Sequence, residues 1–155
     1  MIGALPPLHP PAYTLTEDLR ELSEPASIRR PAPDELAREE LLLRKLGPRG
    51  WGRVHHFRNY YESGWGEHAG RVLSPMALEA FFRFLASTSF PTGKTAPSVF
   101  LTDRGGVELC WENAAGRSVQ VEFTREGVEF YDETTGEEGV VGHDATLELS
   151  RRLSS

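Results

Sequence analysis

Between residues 98 and 131 apolar and polar residues alternate with a period of two. The runs SVFLT (98–102), VELCWE (107–112), SVQVEF (118–123) and VEFY (128–131) read as four strands, because successive strand side chains point to opposite faces. The links at 103–106, 113–117 and 124–127 are short and each carries glycine. Short links join antiparallel neighbours, so the strands are expected to run as a meander.

Upstream the period lengthens to that of a helix. In SPMALEAFFRFLAS (74–87), Leu78, Phe81, Phe82 and Leu85 fall at i, i+3, i+4 and i+7 and make one wide apolar face. Ser74 supplies a cap and Pro75 a preformed first turn. A second helix is predicted over 34–46, DELAREELLLRKL, with Asp34 as its cap. Its acids lie near the start and its bases near the end, and Gly47-Pro48 is a stop signal. Leu36, Leu42, Leu43 and Leu46 form its expected buried stripe. Residues 49–72 mix glycine, aromatics and histidine, and either a strand or a short helix fits around Val54–Tyr61. A last helix is expected from Asp144, with Leu149 and Leu153 four residues apart on one face.

Seven of the eleven prolines lie in residues 1–33, and each removes a backbone donor, so this stretch reads as an extended arm. A short helix after Thr16, carrying Leu19 and Leu22, is its one regular element. The expected class is α+β. A four-stranded antiparallel meander sheet with helices packed on one face occupies 34–155, and the proline-rich N-terminal arm precedes it.

Register follows from keeping the apolar faces together, since a slip of one residue would turn the valines into water. Leu109 is set opposite Val121, and Val121 opposite Phe130. The same pairing sets Glu108 opposite Glu122 and Glu122 opposite Glu129, with Tyr131 on the same face. Directly opposed like charges cost on the order of 0.2–1 kcal/mol per pair, so this row is not expected to serve stability.

Composition places the acidity. Residues 107–139 hold nine acids and two bases, a net of −7, whereas the rest of the chain nets +1. A solvated face that resists self-association accounts for such a surface. A docking surface for a basic protein accounts for it too, with Glu108, Glu122, Glu129, Tyr131 and Trp65 as the partner-binding residues. A carboxylate metal site fits worse, because no calcium-loop spacing is present. The whole chain of 155 residues carries −6, which argues against direct nucleic-acid binding. One cysteine excludes an internal disulfide and suits a reducing compartment, the cytoplasm. No apolar run reaches membrane-spanning length, and the first residues lack the pattern of a secretory signal.

The stretch from Gly64 to about Val141 resembles a module found in small, uncharacterised bacterial proteins. The marks are Gly64-Trp65-Gly66, Leu73-Ser74-Pro75 with Ala77-Leu78, Phe84-Leu85 and Pro97. They continue through Gly105-Gly106-Val107-Glu108-Leu109-Cys110-Trp111, Val121-Glu122-Phe123 and Gly127 to Tyr131. Members often carry Asp after the first Trp, where this chain has Gly66. The resemblance implies a compact accessory protein, often encoded in a small operon, with no assigned reaction and no catalytic residues to carry over.

Candidate chemistry concentrates in His55, His56, Arg58, Asn59, Tyr60, Tyr61, Glu62 and His68. Histidine moves protons near neutrality, and arginine holds phosphate. On a strand, however, His55 and His56 would point to opposite sides. No nucleophile elbow, Walker loop or His-Glu-x-x-His pattern occurs. Cys110 lies mid-strand with no activating neighbour in sequence and reads as a bystander thiol. Trp111 belongs to the core face. The leading expectation is a non-enzymatic bacterial accessory protein of the antitoxin, immunity or defence-system kind. Its acidic sheet face would hold a basic protein partner from the same operon, with no cofactor, metal or membrane. The alternative is a small hydrolase or nuclease built on His55–His68.

Overall fold

In the computed structural model residues 32–66 and 70–154 are described. The arm with its helix after Thr16, and His68, lie outside them. Leu36–Ser155 forms one compact unit, and of the other unit, Met1–Glu35, only the last four residues are described.

Helix α1 spans Pro33–Tyr60 and is broken at Gly47, whose φ of 73° and ψ of 179° are non-helical. That backbone region is open almost only to glycine. The predicted stop is therefore present, yet Pro48 opens a second helical segment at once, a place where its missing N–H costs nothing. Val54–Tyr60 is thus helical rather than extended. Leu41, Leu42 and Leu46 are buried from the first segment, and Val54 and Phe57 from the second. The expected stripe needs correcting: Leu36 and Leu43 are exposed, and Leu41 takes the place given to Leu43.

Helix α2 spans Pro75–Ser87, and the Ser74 hydroxyl accepts from the Ala77 N–H at 3.3 Å. Its length and cap agree with the pattern read from sequence. Phe81, Phe82 and Leu85 are buried as expected, joined by Phe84. Phe81 and Phe84 meet Phe123 of the sheet edge-on, at centroid distances of 5.8 and 5.3 Å.

The sheet has five antiparallel strands in the order of the chain: β1 Ser98–Leu101, β2 Val107–Glu112, β3 Ser118–Phe123, β4 Val128–Asp132 and β5 Glu137–Val141. Four were expected. β5 escapes the sequence pattern because Glu137-Glu138-Gly139-Val140-Val141 does not alternate, and it forms the sheet edge. Gly139 pairs with Phe130, whose ring lies where a side chain on residue 139 would be. The expected register holds across β2, β3 and β4, with Leu109 opposite Val121 and Val121 opposite Phe130.

A single turn of 3-10 helix, His143–Ala145, leads into α3, Thr146–Leu153, which packs on α2 and buries Leu149 and Leu153. Val99, Leu109, Trp111, Val121, Phe123 and Phe130 join the helical residues in one core on one side of the sheet. The opposite face of the sheet is exposed or half-buried. No described helix is long and apolar enough to cross a membrane.

Candidate functional site

Two rows of side chains cross the outer face of the sheet. Pairing places Phe100, Glu108, Glu122, Glu129 and Val140 in one row, strand by strand from β1 to β5. The adjacent row is Ser98, Cys110, Gln120, Tyr131 and Glu138. On β1 to β4 the pleat dictates this face, because each member alternates with a buried neighbour, and on β5 pairing to β4 sets it. Phe100, Tyr131 and Val140 are large apolar groups left exposed, Val140 at 69%.

The three carboxylates expected to stand in line do so, but the row is not uncompensated. Arg104, in the turn between β1 and β2, reaches over the face and donates to Glu122 Oε2 at 2.5 Å and to Glu129 Oε2. The repulsion foreseen between Glu122 and Glu129 is therefore offset by a shared cation. Nothing in the local pattern marks Arg104, which lies in a short glycine-containing turn between two strands. The Arg104 hydrogen bond, aided by its charge, holds the Glu129 carboxyl below the usual carboxylate range despite partial burial. In return Glu129 and Glu122 push the Arg104 guanidinium up.

Glu108 has a different neighbour. Its Oε1 accepts from the Cys110 thiol at 3.1 Å, two residues along the same strand. Burial first, and then that carboxylate, push the thiol up to about 12. A group with that value is protonated at neutral pH, so Cys110 is no nucleophile. Gln120, Glu129 and Tyr131 border the same shallow hollow of about 180 Å³ as Glu108. A larger depression of about 510 Å³ opens at the end of the row, lined by Arg71, Arg104, Glu126 and Glu129 among others.

Trp65 does not join this face. Its indole donates to the Arg71 carbonyl at 2.6 Å, and its ring stands edge-on to Tyr61 at 4.9 Å. It closes a loop that also holds the Gly64 N–H on the Gly70 carbonyl at 2.7 Å. The Arg71 N–H in turn bonds the Asp103 carbonyl at 2.9 Å, beside the turn that carries Arg104. Trp65 thus supports that turn from behind instead of lying among the glutamates.

Of the histidine cluster, His55 and His56 are described and take different neighbours. His55 lies on the second segment of α1, where its Nε2 is 2.7 Å from Glu39 Oε1, and Trp51 Nε1 donates to the other oxygen of that carboxylate. Burial works to raise the Glu39 carboxyl, but the Trp51 and His55 hydrogen bonds outweigh it and leave it low. This trio ties the two segments of α1 across the Gly47 break. His56 is exposed and meets the Tyr61 ring edge-on at 5.2 Å. Among the described residues no three His, Cys, Asp or Glu side chains are grouped to hold a metal ion.

No family model, curated protein or solved structure matches the chain.

Proposed function

We propose that this chain is a non-enzymatic accessory protein that docks a basic protein partner on the outer face of its sheet. The observation that carries the reading is the composition of that face: exposed Phe100, Tyr131 and Val140 set among Glu108, Glu122, Glu129 and Glu138. Aromatic anchors among like charges are what a desolvated contact with a ring of complementary charge requires. Because Arg104 already engages Glu122 and Glu129, the attraction toward a cation rests mainly on Glu108 and Glu138. The antitoxin, immunity or defence role and the operon neighbour are parts of this proposal and rest on the module resemblance, and the cytoplasm is a part that rests on the single cysteine.

Photo-crosslinking tests it. A benzoylphenylalanine placed at Tyr131 should capture one defined basic protein in the native cell, whereas the same group at Leu147, exposed on α3, should not. Equal capture from both positions, or none from Tyr131, contradicts docking on this face.

A further inference from the structure

The sheet has two edge strands, β1 and β5, and the ladder of hydrogen bonds fixes which backbone groups each presents. In antiparallel strands successive residues turn their N–H and C=O alternately to one side and the other. The Thr124 N–H donates to the Gly127 carbonyl at 2.8 Å, and the Glu133 N–H to the Ser118 carbonyl at 3.0 Å. Glu129 and Tyr131, which lie between them in the same alternation, therefore face β3. Val128, Phe130 and Asp132 face β5, and their partners Val141, Gly139 and Glu137 face back. The Val141 carbonyl accordingly lies against Gly127, 2.7 Å from where a Cβ there would stand. Left on the open side are the N–H and C=O of Glu138 and of Val140.

The two edges differ in what covers them. At β1 the outward carbonyl of Val99 accepts from Arg53 Nη1 at 3.0 Å, and Val99 is buried, so α1 closes that side. At β5 no described residue bonds the outward groups of Glu138 or Val140, and both residues are exposed. Unpaired edge groups of this kind are a ready template for another strand.

The side chains at these positions choose the occupant. Both lie on the outer face, Glu138 opposite Tyr131 and Val140 opposite Glu129. Glu137 is held by Arg152 Nη2 at 2.6 Å, whereas Glu138 joins no ion pair among the described residues. Val140 also borders the depression of about 510 Å³ at the end of the row, so the edge continues into the outer face. A second copy of the chain would bring a further net charge of −6, so charge favours a cationic strand over self-pairing.

We propose that β5 takes up an extended segment of the basic partner as an added strand. This pairing rests on the docking reading above and states how the partner engages it. The segment bonds the N–H and C=O of Glu138 and Val140. It sets a lysine or arginine opposite Glu138 and, two residues away, an apolar residue opposite Val140. Backbone bonds hold the segment, and the two outer-face side chains select it.

Amide hydrogen exchange of the full chain, alone and with the protein captured through Tyr131, tests the assignment. In the free protein Glu138 and Val140 should exchange fast while Gly139 and Val141 are protected. On binding, the two fast amides should slow at least tenfold. A bound partner that leaves both fast overturns strand addition, while docking on the outer face stands. If Tyr131 captures nothing, the docking reading fails, and a synthetic strand of alternating lysine and valine with threonine between them decides. At about 1 mM, enough to detect millimolar affinity, it should slow both amides, and its glutamate counterpart should not. No slowing, or equal slowing by the two peptides, overturns the proposal. So does protection of Glu138 and Val140 in the free protein, constant or rising with concentration, since it places this chain itself on the edge.

Discussion

Arg104 Nη2 lies 2.5 Å from Glu122 Oε2, eighteen residues away in sequence, and its guanidinium also bonds Glu129. One turn residue therefore converts two opposed carboxylates into a bridged pair. Exposed ion pairs contribute little, about 0.2–1 kcal/mol, and Arg104 itself is half exposed.

Arg104→Ala should accordingly destabilise the domain by about 1 kcal/mol or less at pH 7. The pH dependence follows from the direction of the Glu129 shift. Its folded value lies below the unfolded value near 4.5, so the contribution is present above about 4.5 and is lost as pH falls through the folded value. Urea melts of both proteins should differ at pH 7 and converge in strong acid. A gap that widens on acidification contradicts the pairing.

Cys110 should resist alkylation. A thiol at about 12 exposes roughly three orders of magnitude less thiolate at pH 8 than a free cysteine with a value near 8.5. Its rate with iodoacetamide should keep rising with pH and show no plateau below about pH 10. A rate like that of glutathione at pH 8 would mean that the thiol is neither buried nor held by Glu108.

The correction to the α1 stripe is also measurable. Leu42→Ala should cost about 2–5 kcal/mol, because the side chain is 1% exposed. Leu43→Ala, one residue along, should stay within about 0.5 kcal/mol. Equal losses would restore the stripe read from sequence.

Gly47→Ala should destabilise by about 1–3 kcal/mol through backbone strain alone. The residue has a φ of 73°, and an added Cβ would meet nothing within 4 Å. An unchanged denaturation midpoint would mean that the helix runs through without its break.

Alternation was strong enough to give β2, β3 and β4 their register, since each strand buries one face and a slip would expose its valines. The same logic put Glu108, Glu122 and Glu129 in line. It failed at β5, where glycine and paired glutamates leave no period and pairing to β4 supplies the order. Around Val54–Tyr61 it left strand and short helix open, because glycine, aromatics and histidine blur the period there; Val54–Tyr60 is helical. Arg104 and the Trp51–Glu39–His55 trio were illegible for a different reason. Both depend on which distant backbone lies within reach of a long side chain, and local pattern carries no trace of that.

Docking on the outer face is tested most directly by association kinetics with the protein captured through Tyr131. Glu108→Gln/Glu138→Gln removes two charges from that face and leaves the Arg104 bridge in place. Long-range attraction acts mainly on encounter, and salt screens it. The association rate at low ionic strength should fall about tenfold and its salt dependence should flatten, with little change in dissociation. An association rate and salt slope equal to those of the unsubstituted protein would contradict an acidic docking face.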